Sequence, residues 1–440
     1  MPLANDHISE LFKGFSKLNR AQRLARLVKM GALTTEDVQF LNRKTAIEPE
    51  LAEHFIENVI GYFHMPLGVA MNFRINQQDY VIPMAVEETS IIAAASKTAR
   101  WIREEGTIKT STHGQYAIGQ IQIARIEDYD HFTAIIAQHK QQLIDDANKL
   151  VAHGLVARGG GVHDIEIRQV TRGDGYHMAV LHVTIDTCDA MGANIINQVC
   201  EFLKQPIEAL TQQHVTMCIL SNLVDSKITR AEITIHNIDP ELGANLQEAS
   251  LFAQQDPYRA ATHNKGVLNG MDAVLIATGN DWRAVEAGVH AYAARSGQYR
   301  GISQWFMRNN DLIGVLEAPI AVGTVGGVTR LHPTAQMCLN MLGCKHANEL
   351  AEIVAAVGLV QNLGAIKALA TVGIIEGHMK LHIANLTLSA GATAKEMPIV
   401  QERLSKILNH TKRITLQNAI DILRELRHQQ TNPSASVAEV

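Results

Sequence analysis

The chain has 440 residues, 46% hydrophobic and 19% charged, which excludes a disordered or fibrous protein and fits several domains or one large core with insertions. A net charge of −5 leaves no basic footprint, so nucleic acid is not an expected partner. The five cysteines (Cys188, Cys200, Cys218, Cys338, Cys344) form no CxxC pair and read as reduced thiols of a cytosolic protein, with no disulfide frame and no metal site.

The opening MPLANDHISELFKGF has neither an apolar core nor a basic leader, so no signal peptide is expected. Residues 8–60 read as short amphipathic helices, with Thr34 or Thr35 as the N-cap before EDVQFL. From Tyr80 the chain turns apolar and strand-like (YVIPMAV) and meets the acidic pair Glu87-Glu88. A small-residue helix, IIAAASKTARWI, follows.

Between about 110 and 225, AIGQIQIARI, HDIEIRQV, MAVLHVTID, TMCIL and ITRAEITIH carry apolar residues at period two. Helical stretches at 135–152 and 192–210 separate them, and the β-α-β-β-α-β order predicts a ferredoxin-like inserted domain. Neither Gly159–Gly161 nor Gly173–Gly175 completes a GxGxxG fingerprint. DAMGANIIN instead follows the strand LHVTID and opens a helix. There the small residues Gly192 and Ala193 would let a phosphate approach free backbone amides.

Residues 256–286 (DPYRAATHNKGVLNGMDAVLIATGNDWRAVE) set Lys265 sixteen residues before Asp281 in apolar or amide-rich surroundings. Charges in such surroundings are costly unless they pair or act on a substrate, and by themselves the two residues fit either role. Further on, Leu350, Ile353, Val354, Val357, Leu363 and Ile366 recur at helical spacing, with alanine and glycine on the other face. This predicts a central helix buried on all sides. Two amides on that helix, Gln361 and Asn362, need partners if buried. Glu352, Gln361, Asn362 and Lys367 interrupt the run, so it falls short of the ~20 apolar residues of a spanning helix. Past Gly373 a separate unit begins, ending in a polar tail, QQTNPSASVAEV, that reads as disordered.

Six segments in order, VEETSIIAAAS, DAMGANIINQVCE, ILSNL, DPYRAATHNKGVLNGMDAVLIATGNDWRAVE, VGGVTRLHPTAQ and VGLVQNLGAIKALATVGIIEGHM, resemble the soluble bacterial class II 3-hydroxy-3-methylglutaryl-CoA reductases. The resemblance runs from about residue 10 to 395. It implies an α/β (α+β) fold with a large substrate- and CoA-binding domain (1–110 and 222–373), an inserted cofactor domain (111–221) and a C-terminal helical flap (374–440). It also implies reversible reduction of hydroxymethylglutaryl-CoA to mevalonate, with two NADPH or NADH, in isoprenoid biosynthesis.

Lys265 would be the oxyanion electrophile, Asp281 its partner, Glu88 the proton donor and His378 the group that quenches the thiolate, with His382 one turn away as the alternative. Thr89 stands where the family usually has proline. Arg259 would anchor the terminal carboxylate, and Ser90, Thr262, Asn269, Asn222 and Gln361 would line the pocket. Asp189, Met191, Gly192, Ala193 and Asn194 match the cofactor turn. The absence of a carboxylate in KLVAHGLVAR, with Lys149, His153 and Arg158 present, favours the 2′-phosphate of NADPH. Lys17 is the candidate for a CoA phosphate. The expected assembly is a cytoplasmic homodimer or an oligomer of dimers, with no membrane anchor. Two rivals are a thioester hydrolase with a cysteine nucleophile, which lacks a Cys–His motif here, and a silent CoA-binding protein, which would have no reason to keep Glu88, Lys265, Asp281 and His378 together.

Overall fold

The computed structural model describes residues 8–43, 49–371, 374–411 and 413–431. The chain divides into two compact units. The first runs up to Glu87 and from Ile91 to Ile366; the second joins Glu88–Ser90 to the chain from Lys367 onward.

The first unit starts with four short helices, α1 (Ile8–Phe12), α2 (Arg20–Lys29), α3 (Thr35–Leu41) and α4 (Pro49–Ala52). Capping boxes at Asn19 and Thr34 start α2 and α3, satisfying end N–H groups that a short helix cannot leave bare. The hairpin β1 (Leu67–Ile75) and β2 (Gln78–Ala85) leads through the acidic loop to α5 (Ile91–Glu105) and β3 (Gly106–Gly114). The inserted segment follows as β4 (Tyr116–Ile126), α6 (Tyr129–Leu150), α7 (His153–Val156), β5 (Gly161–Thr171), β6 (His177–Asp186), α8 (Ala193–Thr211) and β7 (Met217–Ser221). The chain returns with β8 (Lys227–Ile235), α9 (Pro240–Gln255), α10 (Pro257–Ala277), α11 (Trp282–Ala293), β9 (Ser303–Arg308) and β10 (Asp311–Ala318). Helices α12 (Gly327–Leu331), α13 (Pro333–Leu342) and α14 (Ala347–Ala370) complete it.

Two sheets organise these elements. The larger has the order β2-β1-β3-β8-β10-β9, and the smaller the order β5-β6-β4-β7. The smaller is antiparallel throughout and backed by α6 and α8, which is the ferredoxin-like arrangement the alternation predicted. Ile121, Phe132, Leu181, Val183, Val199 and Leu203 fill the space between its sheet and helices.

α14 is the core helix expected from its uninterrupted burial: every residue from Ile353 to Leu363 is buried. It is also the one described helix long and apolar enough to cross a membrane, but 67% of that stretch is buried inside the protein. α10 lies directly against it. A side chain at Gly270 would meet Gln361 Cβ and the Val357 carbonyl at 2.9 Å, and one at Gly358 would meet Met271 at 2.7 Å. Small residues at the crossing thus let the two backbones approach.

The second unit holds α15 (Ile374–Ser389), α16 (Met397–Thr411) and α17 (Leu416–Thr431) around Ile383, Val400, Leu404, Ile422 and Leu423. Arg427 grips Glu396 through two bonds, 2.8 and 3.0 Å, and this hydrogen bonding holds the carboxyl down at about 2.

One buried ion pair ties β2 to α5. The Asp79 side chain is fully buried, its Oδ2 accepts from Arg103 Nη2 at 3.0 Å, and Arg74 Nε lies 3.3 Å from Oδ1. Removing the carboxylate strands two guanidinium groups, one of them largely buried. Asp79→Ala is therefore expected to destabilise the fold by about 3 kcal/mol, measured by urea unfolding. A loss below about 1 kcal/mol would mean that water replaces the carboxylate.

Candidate active site

Asp256 caps α10 by accepting the Arg259 N–H at 2.7 Å, and Pro257 occupies the first turn, where its missing N–H costs nothing. One face of the helix is buried through Ala260, His263, Asn264, Val267, Leu268 and Met271. Arg259, Thr262, Lys265, Asn269 and Asp272 fall three or four residues apart on the opposite, more open face. The structure therefore brings the predicted substrate residues of this segment onto one surface.

Lys265 and Asp281 are both exposed, so a buried structural ion pair is not what this segment contains. Asp281 caps α11, accepting the Ala284 N–H at 3.1 Å, and Arg283 approaches it at 3.6 Å. Arg259 is half-buried. Burial pushes its pKa down, and among the described residues no carboxylate acts on it. A guanidinium kept partly from water without a counter-ion is prepared for an anionic ligand.

The buried face holds a polar network that sequence reading missed. Ser303 Oγ and Trp305 Nε1 donate to Asn362 Oδ1 at 2.9 and 2.7 Å. Because the Ser303 hydrogen is spent there, His263 Nε2 must donate to Ser303 Oγ, 2.7 Å away. His263 Nδ1 is left to accept from Asn362 Nδ2 at 3.5 Å. The imidazole is neutral: burial, helped by the Arg259 charge, lowers its pKa to about 4. The only signal in the sequence was its place four residues after Arg259, on the face turned inward.

Two further groups stand out. Burial and the neighbouring Glu286 carboxylate of α11 raise Asp272 to about 8, and its Oδ1 is buried without a partner. Gln361 is 6% exposed and its Oε1 also lacks a partner, although the residue packs beside Gly270 of α10. Two of the buried polar atoms without a partner thus lie on or beside α10. Asn222 packs against α11, its carbonyl 2.6 Å from where a side chain at Gly288 would stand.

The turn predicted to hold the cofactor sits between β6 and α8. Gly192 has φ 90°, a left-handed conformation, and a side chain there would strike Thr187 at 2.3 Å. No side chain caps α8, so the N–H groups of Ala193 and Asn194 remain available, the condition a dinucleotide pyrophosphate requires. The triple glycine runs alongside: a side chain at Gly160 would meet the Asp186 carbonyl at 2.5 Å and Cys188 Sγ at 2.7 Å. Arg158 is exposed just before it. Met191 touches the loop after β10, its N–H 2.6 Å from the position of a side chain at Gly323. Asp189 behaves otherwise: its carboxylate accepts the Ala347 N–H at 2.9 Å, at the start of α14.

Glu88 and Ser90 belong to the second unit, in the loop between β2 and α5. Ser90 has φ 76°, a strained value for a residue with a side chain, and its Oγ is buried without a partner. His378 lies on α15, with its side chain outside the described residues. His382, one turn on, is exposed.

A family model described as hydroxymethylglutaryl-coenzyme A reductase matches residues 19–383. The 3-hydroxy-3-methylglutaryl-coenzyme A reductase of Archaeoglobus fulgidus is 41% identical over 96% of this chain and 95% of its own length. This chain belongs to the hydroxymethylglutaryl-CoA reductase family. It is an oxidoreductase that reduces hydroxymethylglutaryl-CoA to mevalonate and CoA. A probable reductase of Borreliella burgdorferi is 30% identical over 86% of the chain and 88% of its own length. Among solved structures, a 3-hydroxy-3-methylglutaryl-coenzyme A reductase from Streptococcus pneumoniae superimposes with TM-score 0.80 at 37% identity, covering 94% of this chain and all of its own. A class II reductase from the same organism, bound to NADPH in open conformations, gives 0.79 at 37% identity over 82% of this chain and all of its own.

The two shifted groups on α10 predict opposite pH trends. An unfolded histidine titrates near 6.5, so the stability gained by burying neutral His263 is full above pH 6.5 and is lost as pH falls toward 4. Asp272 stays protonated in the fold up to about 8 but ionises near 3.8 when unfolded, so its contribution declines as pH rises from about 4 to 8. Asp272→Asn should therefore be more stable than the native protein at pH 8, with the gap narrowing toward pH 4. Urea unfolding at three pH values checks this, and equal stability at pH 8 would mean that Asp272 is already ionised in the fold.

Proposed function

We propose that the open face of α10 is the surface on which the thioester is reduced twice. Turning a thioester into an alcohol needs a fixed cation for the carbonyl oxyanion and protons for the alcohol and the departing thiolate. Bound NADPH supplies the hydrides. Lys265 steadies the oxyanion, since an ammonium held on a helix needs little reorganisation as charge develops. Asp281 orients it from the head of α11. Glu88 protonates the carbonyl oxygen. Once the C–S bond of the hemithioacetal breaks, His378 gives its proton to the CoA sulfur, leaving mevaldehyde for the second reduction. Arg259 holds the terminal carboxylate by a two-pronged contact, while Ser90, Thr262, Asn269, Asn222 and Gln361 line the pocket.

The single observation that carries this reading is the half-buried Arg259 guanidinium, without a carboxylate acting on it, on the same open face as Lys265. The uncapped α8 N-terminus supports the Asp189–Asn194 turn as the cofactor site. Exposed Arg158 beside the triple glycine favours the 2′-phosphate of NADPH over NADH. Residues 111–221 then form the cofactor domain, 1–110 with 222–373 the substrate domain, and 374–440 a flap that brings in His378 and excludes water. Lys17 contacts a CoA phosphate.

The functional unit is a cytoplasmic homodimer, itself able to pair into larger oligomers. The irregular segment before β1 supports the dimer by exposing Ile56 (61%), Ile60 (104%) and Phe63 (92%), an apolar run that a second copy would cover.

Nicotinamide absorbance, followed with hydroxymethylglutaryl-CoA and either NADPH or NADH, tests the reading. Two cofactors oxidised per CoA released, faster with NADPH, is the expected result; no oxidation by folded protein would overturn it. Lys265→Ala should lower turnover roughly a thousandfold or more without unfolding the protein, and near-normal turnover would sink the oxyanion role. His378→Gln should slow the thioester reaction but spare reduction of free mevaldehyde. Equal losses in both assays would remove it as the donor to sulfur.

A further inference from the structure

The cofactor turn is fastened to the core helix by one carboxylate. α14 starts at Ala347, and the residue before it is His346, not one of the short polar side chains that usually close a helix start. Glu349 reaches back only to the Lys345 N–H, at 2.6 Å, outside the helix. The Ala347 N–H goes instead to Asp189 Oδ1, 158 residues earlier, at 2.9 Å. Asp189 Oδ2 lies 3.2 Å from His346 Nδ1. The backbone adds a third tie, because the Asp189 carbonyl accepts the Thr324 N–H at 2.9 Å. Both carboxylate oxygens are therefore engaged with the protein, at the end of α14 where the helix dipole favours an anion.

From there α14 runs about 22 Å to Gln361 and Asn362, at 1.5 Å per residue. Gln361 presents an unsatisfied oxygen beside α10, and Asn362 anchors the His263 network. One straight element thus joins the cofactor turn to the substrate face.

We propose that Asp189 is a positioning residue: its carboxylate locks the cofactor turn onto the N-terminus of α14, and cofactor affinity depends on that lock rather than on contact between Asp189 and the cofactor. This rests on the reading of the Asp189–Asn194 turn as the NADPH site. The lock makes a distinctive forecast, because it needs an acceptor at position 189 and a donor at Ala347 but no negative charge facing the ligand. Asp189→Asn keeps the acceptor. Asp189→Ala removes it. Ala347→Pro deletes the donor at the first helical position, where proline is otherwise well tolerated.

The test is NADPH binding to the full-length protein, read by fluorescence energy transfer from tryptophan to the nicotinamide, with circular dichroism to verify folding. Asp189→Ala and Ala347→Pro should each weaken binding roughly tenfold, the scale of a lost helix cap. Asp189→Asn should stay within about threefold of the native protein. KM for hydroxymethylglutaryl-CoA should be little changed in all three. Equal weakening in Asp189→Asn and Asp189→Ala, with Ala347→Pro unaffected, would overturn the lock in favour of direct contact through charge. Unchanged binding in Asp189→Ala would overturn it as well. If Asp189→Ala does not fold, the Asn and Pro variants decide the question alone. Failure of the native protein to bind NADPH would instead overturn the assignment of the turn, and the lock's functional role with it.

Discussion

A neutral imidazole sets the rotation of the helix on which this site is built. His263 gives its one hydrogen to Ser303 and accepts from Asn362, whose oxygen already takes hydrogens from Ser303 and Trp305. Every member has a partner, so the network costs little to bury and a good deal to break. It ties α10 to α14 and β9 at a crossing that Gly270 and Gly358 keep narrow. Successive residues on a helix point about 100° apart, so turning α10 by one position would carry Arg259, Lys265 and Asn269 off the open face together. The open face is aimed by the polar chemistry of the opposite one.

That open face is where the protein leaves groups incompletely satisfied. Arg259 lacks a carboxylate acting on it, Asp272 keeps a proton well above the ordinary aspartate range, and Gln361 holds a buried oxygen without a hydrogen. Glu396 under Arg427 shows the opposite arrangement, a carboxylate met by two hydrogen bonds. Unmet polar atoms also occur at Arg74, Thr133, Arg300 and Thr324, so those along α10 support a ligand surface only together with the half-buried Arg259 guanidinium.

Much of this was legible in the residues. Period-two alternation marked the strands of the smaller sheet and their alternation with helices foretold its topology, but the same alternation in ITRAEITIH belongs to β8 of the larger sheet. The all-apolar run around Val354–Val360 marked a helix with no solvent face, and Thr34 marked a helix start. What stayed hidden depends on distance in sequence. His263 was one of twenty histidines until the fold set it against Asn362, 99 residues on. Nothing local singles out Asp272, whose neighbour Glu286 comes from α11. Asp189, matched to the cofactor turn by family pattern, proved to spend its carboxylate on a helix that starts 158 residues later. Pairings of that kind come from packing, which no local pattern encodes.

The same contact bears on how the chain folds. α14 reaches its full length without a capping side chain at its own start, so its first turn depends on an anion borrowed from the inserted sheet. During synthesis the insert emerges first, and Asp189 is in place before Ala347 exists. The loan also makes the core depend on the insert: melting the smaller sheet would bare the first turn of the buried helix. A segment that looks separable by topology supplies its host with a cap, and excising it would remove that cap as well as a domain.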